Sequence, residues 1–291
     1  MIEYVLHVSI MVCCYAIVAI ALDLLAGHTG LVSLAQAAFF GLGAYSSAFL
    51  AVHLGASFIV CLVVCMVVAG AASFVVSLPS LRLHDDYFVI ATFGLQLILY
   101  TVFLNWQSVT GGPMGISGIP LPTLLGWQID SKLEFLALVA SLGVIVHVLA
   151  QRVAKSPFGL VLRAIREDDV FAESVGKDTW RFKVAVFGFS AIITATAGSV
   201  YAHYMSYIDP TSFTAIESIL ILSMVIVGGA ASRWGPWLGA AILVSLPEAL
   251  RFVGLPTGLA ANLRQILYGV LLVIMMVARP RGLVGRYGFS R

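Results

Sequence analysis

Charged residues are scarce in this sequence. Asp, Glu, Lys and Arg together make up 10% of the 291 residues, whereas hydrophobic residues make up 60%. An ordinary soluble domain has about 25% charged residues, and a soluble fold of this length could not bury so much apolar surface. The few basic residues are mixed with acidic ones and form no stripe with interleaved aromatics, which argues against binding to nucleic acid. The composition therefore predicts an integral membrane protein.

Motifs for catalysis and metal binding are also lacking. The sequence contains no GxxxxGK[ST] phosphate-binding loop, no HExxH and no GxSxG motif, so we expect neither ATP binding nor enzymatic activity from this chain. Its six histidines are dispersed over different spans and loops, and we expect no metal site and no bound cofactor. The four cysteines lie in apolar stretches and are interpreted as small apolar packing residues: Cys13, Cys14, Cys61 and Cys65.

Long apolar runs dominate the rest of the sequence. A spanning helix needs about 20 apolar residues, because the hydrocarbon core is ~30 Å thick and a helix rises about 1.5 Å per residue. The runs predict an all-α, polytopic membrane helix bundle of about eight to ten transmembrane or re-entrant helices. We expect residues 1–291 to form a single transmembrane domain. The predicted spans are 5–25, 33–52, 57–78, 86–104, 133–151, 184–204, 213–230, 236–253 and 262–278.

Two glycine-rich segments, 27–43 and 228–239, each lead into an apolar run. Transporters are often built from two related halves, and this internal similarity predicts two halves here, either parallel or inverted. The 33–52 segment is rich in Gly and Ala, so it either crosses the membrane or is re-entrant. Irregular backbone at membrane depth is tolerated only where protein or a water-filled cavity covers it.

The distribution of basic residues predicts the orientation. Seven of the sixteen Lys and Arg residues lie in 152–183 and four lie in 279–291. The positive-inside rule places both segments in the cytoplasm, and the even number of predicted spans between them agrees with this. The loop 105–132, whose one basic residue is Lys132, then lies outside. With nine spans the N-terminus lies outside as well.

The inner loop 152–183 predicts one or two short amphipathic helices. Ser156 followed by Pro157 is typical of a helix N-cap with proline at the first helical position, and Gly176 is a typical helix stop. Apolar residues recur after the cap at helical spacing. We expect three apolar residues of this loop to be exposed, namely Phe158, Leu162 and Phe171.

The charge of this loop favours a protein partner. A helix that lies on lipid is usually rich in Lys and Arg on its polar face, but here acidic residues accompany the basic ones. Mixed charge beside exposed apolar side chains is typical of docking into a groove on another protein. A lipid-surface helix and a solvated run of charges remain the alternatives.

Six ordered segments of the sequence carry a resemblance to a known family. They are GLVSLAQAAFFGLGAY at 30–45, LPSLRLHDDYFVIATFG at 78–94, NWQSVTGGPMGI at 105–116, SPFGLVLRAIREDDVFAESVGKDTWRFKV at 156–184, VGGAASRWGPWLGA at 227–240 and RPRGLVG at 279–285. These segments resemble the LivM family of branched-chain amino acid permeases of ATP-binding-cassette (ABC) importers. The resemblance covers nearly the whole chain.

This resemblance implies a multi-pass permease in a bacterial inner membrane, with 105–132 as a periplasmic loop. It also implies four kinds of partner: a second, homologous permease subunit in a heterodimer, two cytoplasmic ATPase subunits that carry ATP and Mg²⁺, a periplasmic substrate-binding protein, and the surrounding lipid. By position, the loop 152–183 becomes the coupling loop, and its expected ATPase contacts are Gly159, Arg163, Ala164, Glu167, Asp168, Ala172 and Gly176.

Neutral polar residues in the spans are candidates for the translocation path of a zwitterion, although a tyrosine near a membrane interface is often only an anchor. The candidates are Gln36, Gln96, Tyr100 and Tyr201. The expected substrates are branched-chain or related small neutral amino acids, with urea or short amides as an alternative. A secondary transporter coupled to an ion gradient is a further alternative, but it typically needs a titratable or cation-binding site at the midplane.

Overall fold

The computed structural model describes residues 2–81, 85–124, 127–251, 266, 269–270, 273–275, 277 and 282–285. Within these residues the fold is a bundle of α-helices with two very short β-ladders. The helices are α1 (Ile2–Leu22), α2 (Gln36–His53), α3 (Phe58–Ser80), α4 (Asp85–Asn105), α5 (Gln107–Thr110), α6 (Lys132–Lys155), α7 (Pro157–Glu167), α8 (Asp169–Ser174), α9 (Thr179–Met205), α10 (Ala215–Gly228) and α11 (Gly235–Arg251).

Smaller elements complete this list. One π-helical turn, Asp23–Gly27, continues α1, and 3-10 turns occupy Gly112–Met114 and Pro210–Phe213. The strands are β1 (Ile116–Ser117), β2 (Thr123–Leu124), β3 (Trp127–Gln128) and β4 (Tyr207–Ile208). β1 pairs with β4 and β2 pairs with β3, both antiparallel.

Five helices of the described residues are long and apolar enough to cross a membrane. They confirm the predicted polytopic helix bundle and correspond to the predicted spans 5–25, 57–78, 86–104, 133–151 and 184–204. These helices are Ile2–Gly27, Phe58–Ser80, Tyr87–Asn105, Lys132–Lys155 and Thr179–Met205.

Four predicted spans remain. Helices α2 and α11 occupy most of the predicted spans 33–52 and 236–253, but neither is among the five helices that are long and apolar enough to cross a membrane. α10 has 14 residues, a length of about 21 Å, so the prediction of a full span at 213–230 was too long. The helix ends there because Gly229 has a φ of +104°, which a helix cannot contain. The predicted span 262–278 lies mostly outside the described residues.

The bundle has two distinguishable ends. At the first, which we call the cap end, Ile116 of β1 pairs with Ile208 of β4, and Lys132 forms an ion pair with Glu3 at 3.0 Å. At the second, which we call the α7–α8 end, Arg166 donates a hydrogen bond to the carbonyl of Gly27. The first residues of α1 therefore lie at the end opposite to α7 and α8.

The C-terminal segment returns to the α7–α8 end. The amides of Leu283 and Val284 donate to the carbonyls of Val227 and Gly228 at 3.0 and 3.1 Å, directly before the loop between α10 and α11. The N- and C-terminal parts thus lie at opposite ends of the bundle, as nine passes would require. The prediction of two related halves stays a prediction.

The core of the bundle is a seam between α2 and α9. A Cβ atom added at Gly43 would lie 2.1 Å from the Ala195 carbonyl oxygen, and one added at Gly198 would lie 2.0 Å from that of Phe40. Small residues allow such direct backbone contact between helices in membranes. α2 and α9 consequently meet without intervening side chains at these points.

The segment between α1 and α2 returns into the bundle without forming a helix. Residues 30–35 have no regular secondary structure, and Leu31, Ser33 and Ala35 are buried among the helices. α2 begins at Gln36, which contacts Ser190 in the middle part of α9. This is irregular backbone at membrane depth covered by protein, the condition under which it is tolerated.

Candidate functional site

The first candidate site is the pair α7 and α8, whose local sequence specifies two short helices. Ser156 caps α7, since its Oγ accepts from the amide of Gly159 at 3.3 Å, and Pro157 occupies the first helical position. Asp168 then caps α8, since its Oδ1 accepts from the amide of Phe171 at 2.9 Å. The predicted start of this helical segment is confirmed.

The end of the segment also follows from the sequence. α8 ends at Ser174, and Gly176 has a φ of +82°, a conformation that glycine adopts without steric cost. The predicted stop at Gly176 is therefore confirmed. α9 begins three residues later, where Asp178 caps it through the amide of Arg181.

The exposed face of the pair differs from the expected one. Leu162 is completely buried, and Phe158 is half-buried against Phe182, with the ring centroids 5.2 Å apart. The expectation that Phe158 and Leu162 would be exposed was wrong, because the face of α7 that carries them packs on the spans. The apolar side chains exposed on the pair are Leu160, Val170, Phe171 and Val175.

The seven residues expected to contact an ATPase fall into two groups. Ala164, Glu167, Asp168 and Gly176 are exposed and Arg163 is half-buried, whereas Gly159 and Ala172 are buried. A Cβ added at Gly159 would lie 2.4 Å from the Ala154 carbonyl oxygen, so this glycine allows α7 to pack against the end of α6. Gly159 and Ala172 position the pair, and only the other five residues can meet a partner in this state.

Two cationic side chains join the pair to the spans. Arg166, at the end of α7, donates to the Gly27 carbonyl at the end of the π-helical turn. Lys183 of α9, which is buried, forms an ion pair with Asp169 of α8 at 2.5 Å. A displacement of α7 and α8 therefore acts directly on α9 and on the π-helical turn Asp23–Gly27, which we call the α1 extension.

The α1 extension in turn is joined to the loop between α10 and α11. The buried carboxylate of Asp23 accepts a hydrogen bond from the amide of Ala231 at 2.7 Å. A Cβ added at Gly27 would lie 2.6 Å from the same amide nitrogen, so only glycine permits this approach. The two glycine-rich segments noted in the sequence thus meet at the α7–α8 end, a contact that the sequence did not predict.

His28, directly after the α1 extension, lies beside two cations of α7. Burial lowers its pKa below the ordinary value, a hydrogen bond to the Asp23 carbonyl raises it in part, and the positive charges of Arg163 and Arg166 lower it further. The imidazole is therefore held neutral near pH 7. Its neutrality limits the positive charge that accumulates at this junction.

The candidate path residues Gln36 and Gln96 lie in the core rather than beside an open channel. The Gln36 amide donates to Ser190 Oγ at 3.1 Å and accepts from Thr194 Oγ1 at 2.7 Å. Gln96 Oε1 accepts from the amide of Ala38 at 2.6 Å, while its Nε2 donates to the Phe213 carbonyl at 2.8 Å. In this state both side chains hold helices together, and their role in a path stays a prediction.

The other two candidates lie nearer the cap end. Tyr201 is buried and packs against Phe40 and Phe213, with ring centroids 5.2 and 6.3 Å away. Tyr100, on α4, is half-buried. Phe213 also contacts the rings of Tyr45 and Phe103 and so lies at the centre of an aromatic cluster. The cluster consists of Phe40, Tyr45, Phe103, Tyr201 and Phe213.

Comparison with known proteins places this architecture in a family. A family model described as "Branched-chain amino acid transport system / permease component" matches residues 4–276. This chain belongs to that family. The expectation drawn from the six sequence segments is thereby confirmed.

Individual relatives agree with the family assignment. The chain is 33% identical to the high-affinity branched-chain amino acid transport system permease protein LivM of Salmonella typhimurium over 300 residues, which covers 95% of this chain and 69% of the relative. It is also 33% identical to LivM of Escherichia coli K12 over 93% of this chain and 67% of the relative. The permease protein LivH of Salmonella typhimurium is 23% identical over 94% of this chain and 91% of the relative. No solved structure matches the chain.

Proposed function

We propose that this chain is one of two permease subunits of an ABC importer and forms part of the translocation path for branched-chain or related small neutral amino acids. It binds no ATP and catalyses no reaction. Two ATPase subunits, which hold ATP and Mg²⁺, drive the cycle, and a periplasmic binding protein delivers the substrate. Membership of the branched-chain amino acid permease family supports the substrate class, and the LivH relative supports pairing with a second, homologous subunit.

The observation that carries this proposal is the construction of the α7–α8 pair. It presents apolar and charged side chains outward, among them Phe171 and Glu167, while Arg166 and Lys183 join it to the spans. A surface of this kind suits docking into a groove on a partner. An ion-coupled secondary transporter would have no use for such a surface.

The proposed orientation places the α7–α8 end in the cytoplasm and the cap end in the periplasm of a bacterial inner membrane. The positive-inside rule supports it, because the loop 152–183 holds seven basic residues and the loop 105–132 holds one. The segment 282–285 lies at the same end as α7 and α8, in agreement with the basic composition of the C-terminal tail.

The mechanism follows from the contacts at the α7–α8 end. When two ATPases close on ATP, the groove that holds α7 and α8 moves, and the pair moves with it. Arg166 transmits the movement to the α1 extension, and Asp23 transmits it to the loop that carries Ala231. Coupling of this kind requires contacts that differ between two states, and single hydrogen bonds at a helix end can break and form without unpacking the core.

The test uses the complete importer in vesicles. We expect uptake of labelled leucine to require ATP on the α7–α8 side, and uptake that follows an ion gradient without ATP would contradict the proposal. Competition by valine, urea and acetamide then tests the substrate class: displacement by the amides but not by valine would favour the alternative substrates.

A variant tests the surface itself. Glu167→Arg reverses an exposed charge on α7 and should weaken ATPase co-purification without preventing membrane insertion. Asp130→Arg makes the same charge change on an exposed residue of the cap end and should leave co-purification unchanged. Equal ATPase recovery from both variants would remove Glu167 from the interface.

A further inference from the structure

Two adjoining cavities at the α7–α8 end are lined by cations. The first, of about 270 Å³, lies between α6, α7 and the loop before α11 and is lined in part by Lys155, Arg163 and Arg233. The second, of about 350 Å³, shares Lys155 and Arg233 and adds Arg152. No described residue that lines either cavity is acidic. We call the two together the basic cavity.

The four cations of the basic cavity form no ion pair within the part of the chain that the structure describes. The described ion pairs use Lys132, Arg181 and Lys183 instead. Asp23 lines a small adjoining cavity, but its Oδ1 is hydrogen-bonded to the amide of Ala231. Like charges that converge on one space repel each other, and a bound anion would relieve that repulsion.

The basic cavity is continuous with an apolar surface of α6. Val144, Ile145, Val148 and Leu149 are 58%, 54%, 44% and 43% exposed, and Val148 also lines the second cavity. α6 is long and apolar enough to span the membrane, so these side chains face hydrocarbon. Arg152 follows within the next turn of the same helix, where the apolar surface gives way to charge.

Aromatic residues lie beside the basic cavity, near the point where the apolar surface of α6 ends. Trp234 is 53% exposed, with the Arg233 guanidinium 5.6 Å from its ring centroid and His147 stacked on it at 5.1 Å. Tryptophan is enriched where hydrocarbon meets the headgroup region. The cations of the basic cavity therefore lie at the depth where lipid phosphates are found.

His147 supplies a hydrogen-bond donor in the cavity wall. Its Nδ1 accepts from Trp237 Nε1 at 3.3 Å, so in the neutral imidazole the proton is on Nε2. That nitrogen is buried and has no hydrogen-bond partner among the described residues. An oxygen-rich headgroup bound in the cavity would supply the missing acceptor.

We propose that the basic cavity binds the phosphate of an anionic phospholipid, with the acyl chains lying on the exposed apolar surface of α6. Basic pockets beside membrane helices suit anionic headgroups. Only an amphiphile can contact both the cations and the exposed apolar surface of α6. A bound lipid would hold α6, α7 and the loop before α11 together. Its placement in the cytoplasmic leaflet rests on the proposed function, whereas the site itself does not.

The test measures lipid binding directly and needs no transport. The purified chain is placed in nanodiscs of phosphatidylcholine with a trace of fluorescent phosphatidylglycerol, and retained lipid is identified by native mass spectrometry. The test variant is Lys155→Gln/Arg233→Gln, which removes the two cations that line both cavities. The matched control is Lys177→Gln/Arg181→Gln, which removes exposed cations from the same end of the bundle but outside the cavity.

We expect phosphatidylglycerol to bind in preference to phosphatidylcholine, and each removed cavity cation to lower its affinity by about fivefold. The control should bind like the parent, and inorganic phosphate should not displace the lipid. Equal binding of the two lipids, or equal loss in test and control variants, would overturn the proposal. Displacement of the lipid by inorganic phosphate would show that the cavity is a site for free anions. Loss of the lipid on assembly with the ATPases would show that the cavity is part of the partner surface. Either result would also contradict the proposal.

Discussion

In the α2–α9 seam two helices meet backbone to backbone, whereas the α7–α8 pair is joined to the spans partly through charged side chains. The seam contains glycines whose Cβ positions are already occupied by backbone atoms of the partner helix. The pair is joined to the spans by the hydrogen bond from Arg166 to the Gly27 carbonyl and by the ion pair between Lys183 and Asp169. The two regions thus differ in what must break before they can move.

Because of this difference, we expect α2 and α9 to move as one unit, whereas the contacts of the α7–α8 pair can break and re-form. Sliding α2 along α9 would bring backbone atoms into collision, since close-packed interfaces have discrete arrangements rather than continuous ones. Breaking one hydrogen bond at the end of α1 needs no repacking. We therefore expect α2 and α9 to stay together during transport while the contacts at the α7–α8 end change.

The largest expected effect concerns the seam. Gly198→Ala places a methyl group 2.0 Å from the Phe40 carbonyl oxygen, and the overpacking should destabilise the fold by about 3 kcal/mol or more. Gly94→Ala makes the same chemical change inside α4, where nothing lies within 4 Å, and should be slightly stabilising because alanine favours a helix over glycine. Thermal unfolding in detergent distinguishes them, and equal melting temperatures would mean that α2 and α9 are not in backbone contact.

The next effect concerns the switchable contact. Arg166→Ala removes a charge-assisted hydrogen bond to Gly27, a contact worth about 1.5–3 kcal/mol, so uptake per ATP hydrolysed should fall by about tenfold or more. Because ATPase binding should be retained, the readout is the ratio of uptake to hydrolysis in vesicles. Arg181→Ala, which breaks only an exposed ion pair, should leave the ratio unchanged. A parallel fall in uptake and hydrolysis would indicate loss of assembly instead of loss of coupling.

A smaller effect is expected inside the seam. Gln36→Leu removes hydrogen bonds to Ser190 and Thr194, and such contacts between membrane helices are worth about 1 kcal/mol. Thr196→Val is the matched control, because among the described residues the Thr196 hydroxyl donates only to carbonyls of its own helix. If Gln36 has a structural role, the variant has a lower melting temperature and an unchanged KM for uptake. A changed KM with an unchanged melting temperature would instead indicate that Gln36 lies in the translocation path and that substrate reaches the α2–α9 seam.

Local rules predicted the α7–α8 pair well. Ser156, Pro157 and Gly176 act through neighbours in the chain, so a cap, a helix start and a stop could be recognised from the sequence. The inward direction of Leu162 could not, because it depends on which face of α7 the spans cover. Apolar length likewise predicted five spans but overestimated 213–230, where Gly229 ends the helix early.

Contacts between distant segments lay beyond the sequence. Asp23 and Ala231 are 208 positions apart, and no periodicity relates them. The single available signal was a carboxylate at the end of an apolar run, beside a glycine-rich segment. A buried charge needs a partner, but the identity of that partner is decided by the packing of α1 against α10 and α11.

The smallest expected effect is a pH dependence at His28, where the α1 extension meets α7. Burial lowers the pKa of His28 below its ordinary value of 6.5, so near that pH the unfolded chain binds more protons than the folded chain. Stability therefore decreases as the pH falls from about 7.5 to 6.5, by no more than about 0.4 kcal/mol. His28→Gln should remove this slope, whereas His53→Gln, an exposed site at the cap end, should retain it. Parallel slopes in the two variants would assign the titration to another group and would leave the α7–α8 junction insensitive to pH.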